Sequence, residues 1–130
     1  MESNDIHESY EDYLKAIYLI SKNNRGGWVS NSEIAQYLDV KPSSVSSMLH
    51  KLKDNGLIFW KPRKSLRLTK KGKKIAKNMM KKYNLLKEFF FNILEIKDKA
   101  LIKDLSCRIE HHLTPEVSEA LQNLSPKVSP

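Results

Sequence analysis

The chain has 130 residues, of which 40% are apolar and 29% are charged, with a formal net charge of +8. This composition is typical of one small soluble protein and argues against a disordered chain. No apolar run approaches the ~20 residues of a transmembrane helix, and the acidic start lacks the apolar stretch of a signal peptide. The single cysteine, Cys107, cannot form an internal disulfide. We expect a cytoplasmic protein with no membrane partner.

The positive charge is concentrated in one region. Between Lys61 and Lys82 stand eleven Lys and Arg residues and no Asp or Glu, while the rest of the chain has 12 basic and 15 acidic residues. A region of one sign favours a polyanion as partner, and nucleic acid is the leading candidate. A lysine-rich helix face that merely contacts solvent is the alternative.

Local patterns predict short helices followed by a β-hairpin and further helices. Ser30 and Glu33 have the spacing of a capping box, and Pro42 suits the first turn of a helix. Gly56 stands where a left-handed residue ends a helix, and Thr69 can cap the next one. The predicted helices cover residues 10–20, about 31–38, 42–55, 70–91 and 98–113, with a last one after Thr114; the predicted strands cover 28–29, 57–60 and 66–68.

Two short helices joined by a tight turn, then a hairpin with a basic tip, indicate a winged helix-turn-helix. In this motif the second helix enters the major groove of DNA, and Val45, Met48, Leu49 and Leu52 on its opposite face are expected in the core. Serine hydroxyls discriminate weakly between bases, so DNA shape should add to specificity. The candidate DNA-binding residues are Lys41, Ser43, Ser44, Ser46, Ser47, His50, Arg63 and Lys64.

A second group of residues, near the C-terminal end, has the chemistry of metal ligands. Cys107, Glu110 and His111 are spaced i, i+3 and i+4, so on a helix their side chains emerge on one face. A thiolate, a carboxylate and an imidazole together suit a first-row transition metal better than Mg²⁺ or Ca²⁺. A purely structural Glu-His pair beside a buried cysteine is the alternative that these residues alone leave open.

The segment from Leu85 to Ile96 is too apolar on all sides for an exposed helix of a monomer, so part of it should face a second copy of the chain. A two-fold homodimer would place two recognition helices one turn of DNA apart, as a palindromic operator requires. The alternative is that the segment forms the core of a monomer.

The chain resembles the DtxR/MntR family of metal-dependent transcriptional repressors, which respond to iron or manganese. The resemblance extends over about residues 8–124, with motifs in the family's order and spacing. The motifs are Tyr10–Leu14 with Ile17–Tyr18, Ser32–Ala35, Val40–Val45, Leu52–Leu57, Leu66–Thr69 followed by Gly72, and Glu110–Leu113. The implied fold is mainly α with a small β-hairpin. It has a winged helix-turn-helix DNA-binding domain at residues 1–72 and a helical dimerisation and metal-binding domain at 73–130, with a linking helix at about 70–91.

The resemblance also implies a metal site and a function. The residues that match the family's principal site are Asp12, Cys107, Glu110 and His111. Their combination mixes iron-type and manganese-type members, so Fe(II) or Mn(II) is expected. Where relatives have a second site this chain has Tyr83, Lys87 and Lys103, which are poor ligands, so one site per protomer is expected. The implied function is repression, through double-stranded DNA, of genes of iron or manganese homeostasis.

One rival function belongs to a different class. A metal-independent winged-helix regulator of the MarR type would carry the same DNA-binding residues, with Cys107 as a structural or redox-sensing thiol. An enzyme is not expected, because the sequence has no set of nucleophile, base and orienting residue and no phosphate-binding loop. Metal content of the purified protein separates the two regulators.

Overall fold

The computed structural model describes residues 2–124, with side chains from Glu8 onward, and it divides into two units between Lys77 and Asn78. The elements of the first unit are α1 (Glu2–Ser21), a 3₁₀ turn (Arg25–Gly27), α2 (Asn31–Leu38), α3 (Pro42–Asp54), β1 (Ile58–Phe59), β2 (Arg67–Leu68) and the start of α4 (Lys70–Glu88). Those of the second are the rest of α4, a π-helical turn (Phe89–Ile93), α5 (Lys99–Ile109), a 3₁₀ turn (Glu110–His112) and α6 (Pro115–Leu124). The predicted mainly α fold with a hairpin is confirmed.

Helix α2 begins with the predicted capping box. The Ser30 hydroxyl accepts a hydrogen bond from the Glu33 N–H (3.1 Å), and the Ser30 N–H donates to the Glu33 carboxylate (3.0 Å). Hydrogen bonds from the Asn24 side chain and then from the Ser30 backbone hold the pKa of Glu33 below its ordinary value. Because a lowered pKa stabilises the fold only while the carboxylate is charged, this contribution is present at neutral pH. It is lost as the pH falls through the lowered pKa.

The turn between α2 and α3 and the end of α3 both use left-handed residues. Asp39 has φ of 56° and donates its N–H to the Ala35 carbonyl, which ends α2. Pro42 occupies the first turn of α3, and Gly56, with φ of 71°, follows its last turn as predicted. These local signals give the two helices the tight connection of a helix-turn-helix.

The hairpin is shorter than the sequence predicts. Ile58 pairs with Leu68 and Phe59 with Arg67 in antiparallel register. The predicted strand at Trp28–Val29 is wrong as a strand, because Val29 forms only an isolated bridge with Leu66. It lies between the 3₁₀ turn and the capping box of α2, which leaves no room for a longer strand.

The core of the first unit collects apolar side chains from α1, α2, α3, the hairpin and α4. Val45, Leu49 and Leu52 are fully buried, as expected for the inner face of α3, and Met48 is partly buried against the same core. The buried members of this core are Tyr13, Leu14, Ile17, Val29, Ile34, Ala35, Val45, Leu49, Leu52, Leu57, Ile58, Trp60, Leu66 and Ala76.

Two helices of the second unit end earlier than predicted. After Glu88 the helix α4 gives way to a π-helical turn, in which the Leu94 N–H donates to the Phe89 carbonyl (3.0 Å). Phe90 enters the core of this unit while Phe91 stays partly exposed, so the run of phenylalanines is divided between core and surface. The helix predicted over 98–113 consists of α5 and the 3₁₀ turn Glu110–His112.

Helix α4 starts in close contact with the hairpin. The Thr69 hydroxyl accepts from the Gly72 N–H (3.1 Å), as predicted for a cap, and donates to the Gly56 carbonyl (2.7 Å). The Thr69 N–H donates to the Leu57 carbonyl (3.0 Å). A Cβ atom at Gly72 would lie 2.1 Å from that same Leu57 oxygen, so only glycine permits the approach.

We predict that Gly72→Ala destabilises the protein although alanine is the better helix former by about 1 kcal/mol. The new methyl group meets a backbone oxygen that cannot rotate away, and such overpacking costs about 1–3 kcal/mol. Urea unfolding measures the difference. Lys74→Ala, on an exposed position of α4, is the control and should change stability by less than about 0.5 kcal/mol. A more stable Gly72→Ala variant would contradict the contact.

Candidate DNA interface and metal centre

Helix α3 presents a row of small polar side chains. Its inner face is held in the core, and Ser43, Ser44 and Ser47 are exposed on the other side. Lys41 precedes the helix, and His50 lies within it, about one turn after Ser47. Both are exposed. The His50 ring also makes an edge contact with the Trp60 ring (centroids 4.8 Å apart), which connects α3 to the hairpin. The exposed serines allow close backbone approach to DNA.

Ser46 differs from the other serines. It is half-buried, and its hydroxyl accepts a hydrogen bond from the Asn31 side-chain amide (2.9 Å). This bond joins α2 to α3, so Ser46 orients the recognition helix from within the unit. Sequence reasoning missed Asn31, which stands at the first position of α2 with no apolar or charge pattern to mark it.

The hairpin tip is a tight turn that displays two cations. The Lys64 N–H donates to the Lys61 carbonyl (3.0 Å), and Pro62 occupies the second position of this turn. Arg63 takes φ of 66°, a region that favours glycine. A non-glycine residue in this conformation costs about 1–3 kcal/mol. Arg63 and Lys64 also line a cavity of about 340 Å³ beside Ser32 and Ser46, so the tip and the helix pair share one concave surface.

The predicted metal ligands lie in both units. Asp12 is exposed on α1 of the first unit. In the second unit Cys107 is half-buried near the end of α5, and Glu110 and His111 lie in the 3₁₀ turn that follows. Asp12 comes from a helix far away in sequence, and only the family resemblance singled it out.

Glu110 is the buried residue among the candidate metal ligands. Its side chain is 0% exposed, and Glu110 and His111 each offer a ligand atom within 4.8 Å of the other. A buried carboxylate is stable only with compensating polar or cationic groups, and a carboxylate with an imidazole suits a first-row divalent metal. The donor chemistry therefore fits the implied ion. Among the described residues, the group of ligand atoms within 4.8 Å of one another does not include Cys107.

The residues that stand where the family's second site is expected are poor metal ligands. The Lys87 ammonium lies over the Tyr83 ring, 5.0 Å from its centroid, and Lys103 is exposed on α5. An ammonium has no lone pair to donate and repels a divalent cation. This pair of side chains opposes a second ion.

The second unit has a small core and several exposed large apolar residues. The core consists of Leu86, Phe90, Ile102 and Leu113 with partly buried neighbours. The exposed large apolar residues of this unit are Phe91, Ile93, Leu94, Leu101, Val117 and Leu124. Apolar exposure of this kind is typical of a protein interface.

Comparison with known proteins identifies the chain. The family model of the iron dependent repressor N-terminal DNA binding domain matches residues 5–66, and that of the iron dependent repressor metal binding and dimerisation domain matches residues 69–129. The chain belongs to the DtxR/MntR family of metal-dependent transcriptional repressors. The resemblance inferred from the sequence is confirmed.

Individual relatives agree with this assignment. The chain is 36% identical over 116 residues to an uncharacterised HTH-type transcriptional regulator of Methanocaldococcus jannaschii, covering 88% of this chain and 90% of the relative. It is 34% identical over 116 residues to the HTH-type transcriptional regulator MntR of Shouchella clausii, covering 89% of this chain and 78% of the relative.

Solved structures of similar proteins show the same fold. The manganese regulator SloR has 31% identity and a TM-score of 0.73, and ScaR with bound Zn²⁺ has 29% identity and a TM-score of 0.73. Each match covers 88% of this chain and 52% of the other chain, so the present chain spans about half the length of these solved structures.

The family is made up of metal-dependent transcriptional regulators, and this chain carries its DNA-binding domain and its dimerisation domain. The domain match supports a divalent metal cofactor, and the metal-independent alternative is not favoured. Across the part of the chain that the structure describes, no helix is both long and apolar enough to cross a membrane.

We predict that Lys64→Ala weakens binding to every DNA duplex and lowers the slope of log affinity against log salt by about one, because one phosphate contact is lost. Ser47→Ala should instead change the preferred sequence and leave the slope unchanged. Binding isotherms at several salt concentrations, with duplexes selected from a random pool, measure both effects.

Lys103→Ala removes the same charge from the second unit and is the control for Lys64→Ala. If Lys64→Ala and Lys103→Ala shift the isotherms equally, the hairpin tip does not contact DNA.

Proposed function

We propose that the chain is a homodimeric repressor that binds a palindromic operator in double-stranded DNA when it holds Fe(II) or Mn(II), and that it controls genes of iron or manganese homeostasis. Relatives described as iron dependent repressors and as a manganese regulator support this choice of metals. The protein acts by binding rather than catalysis. Because its target is DNA, we place it in the cytoplasm.

The proposed domains follow the predicted boundaries, with DNA binding at residues 1–72 and dimerisation and metal binding at 73–130. The linking helix at about 70–91 corresponds to α4 and the turn after it, and the division between the two units falls within α4. Recognition uses Lys41, Ser43, Ser44, Ser47, His50, Arg63 and Lys64. We omit Ser46, because its hydroxyl bonds to Asn31.

Burial of Glu110 is the observation that carries the metal site. The proposed ligands are Asp12, Cys107, Glu110 and His111, with one ion per protomer. Glu110 and His111 form the best supported pair, since their ligand atoms lie within 4.8 Å of each other. Cys107 and Asp12 rest on the family resemblance. A carboxylate beside an imidazole is a donor pair that a first-row divalent ion prefers.

The chain's own residues explain how metal could control DNA binding. Asp12 belongs to the unit that carries α3, whereas Glu110 and His111 belong to the unit with the exposed apolar surface. Ligands drawn from both units restrict the positions that the two DNA-reading units of a dimer can take. The effect is a shift in population toward arrangements that match the operator, without new contacts to DNA.

We predict that Glu110→Gln lowers affinity for Mn²⁺ by at least the ~10–100-fold that changes in groups around a metal site produce. The amide keeps the shape of the side chain but removes its charge. Calorimetric titration of the unmodified protein should give about one ion per protomer.

Glu119→Gln, an exposed position on α6, is the matched control and should bind like the unmodified protein. Unchanged binding by a folded Glu110→Gln variant would exclude the site, and a stoichiometry near two would exclude the missing second site. Cys107→Ser tests the thiol separately: lost discrimination between Zn²⁺ and Mn²⁺ supports it as a ligand.

We predict that Leu94→Asp converts the dimer into a monomer, since Leu94 is 50% exposed and a charge in an apolar interface is costly. Sedimentation at micromolar concentration measures the mass. Phe90 is unsuitable for this test because it belongs to the unit's own core.

Phe59→Asp is the matched control: Phe59 is 61% exposed but lies in the first unit, so the dimer should persist. Sedimentation of the unmodified protein as a monomer would contradict the proposed dimer.

A further inference from the structure

A cavity of about 360 Å³ lies within the first unit, and its lining contains none of the proposed DNA-binding residues. It is formed by the end of α1, the glycine turn after it, β2 and the first turns of α4. The lining residues are Tyr18, Ser21, Lys22, Gly26, Gly27, Arg67, Leu68, Lys73 and Lys77. The volume lies at the lower end of the range for small-ligand pockets.

Four of the lining residues are cations, and none is Asp or Glu. Among the described residues, no carboxylate forms an ion pair with any of these four side chains, which are Lys22, Arg67, Lys73 and Lys77. Like charges around one cavity repel each other at short range. An anion in the cavity would replace this repulsion with attraction.

Aromatic rings orient two of the cations. The Lys22 ammonium lies 4.6 Å from the Tyr18 ring centroid, and the Arg67 guanidinium lies 5.0 Å from the Trp28 ring. Such contacts hold the side chain while leaving its N–H groups available. Arg67 also pairs across the hairpin with Phe59, so its backbone is fixed by the sheet.

Two neighbouring residues of the cavity lining are glycines. Gly26 and Gly27 take φ of 68° and 73°, which L-residues rarely adopt, so the turn exposes bare backbone to the cavity. A compact ligand can approach this turn closely.

We propose that this cavity binds a phosphate group, with Arg67 and the three lysines as donors. Guanidinium and ammonium groups in this number match a multiply charged phosphate better than a single carboxylate. The phosphate could belong to a free phosphorylated metabolite or to the DNA backbone outside the operator contacts. The site goes beyond the proposed function, since neither metal binding nor the recognition helix requires it.

Two double variants on α4 test the site. Lys73→Gln with Lys77→Gln removes two cavity cations, and Lys70→Gln with Lys74→Gln removes the same charge, at the same spacing, from outside the cavity. Each protein is titrated by calorimetry with inorganic pyrophosphate in metal-free buffer and, separately, with duplex DNA. Circular dichroism checks that both variants fold.

The unmodified protein should bind one pyrophosphate. Loss of the cavity pair should weaken this binding about tenfold or more. Loss of the control pair should leave it nearly unchanged. If pyrophosphate does not bind but the cavity pair alone weakens DNA binding, the site stands and its phosphate belongs to DNA. Equal effects of the two pairs, or none from the cavity pair, would overturn the site. If no variant binds DNA, the pyrophosphate titration decides alone.

Discussion

The DNA-binding unit depends on the close approach of Gly72 to the Leu57 carbonyl. That contact and the Thr69 hydroxyl, which bonds to both Gly56 and Gly72, bring the end of α3, the first strand and the start of α4 to one point. The base of the hairpin therefore cannot move independently of the recognition helix. The hairpin tip, with Lys64, keeps a fixed relation to the serines of α3, so the two proposed DNA contacts form one surface.

Two features of the second unit bear on its function. Its core is small and large apolar residues such as Leu94 are exposed, so burial against a second copy would remove apolar surface from water. Among the residues of this unit that the structure describes, Glu110 is fully buried, and its ligand atom lies within 4.8 Å of one offered by His111, a pair that suits a first-row divalent ion. The family match assigns both metal binding and dimerisation to the segment that contains this small unit.

Features set by neighbouring residues could be predicted from the sequence, whereas features set by distant contacts could not. The capping box of Ser30, the cap at Thr69 and the left-handed Gly56 each follow from a few consecutive residues, and all three are observed. The hydrogen bond of Ser46 to Asn31 and the need for glycine at position 72 depend on contacts with residues far away in sequence. The metal ligands followed the family motifs, and the spacing of Cys107, Glu110 and His111 alone left a structural role open.

The basic stretch of the sequence also separates into parts with different roles. Lys64 lies at the hairpin tip, whereas Lys73 and Lys77 line a cavity. Phosphate contacts give affinity for any DNA, and serines on α3 discriminate weakly among bases. In the proposed dimer, DNA shape and the spacing of the two recognition helices supply the rest of the specificity. A coupling of about 1–3 kcal/mol between metal and that spacing changes DNA affinity by about 5–150-fold, which is enough for a regulatory switch.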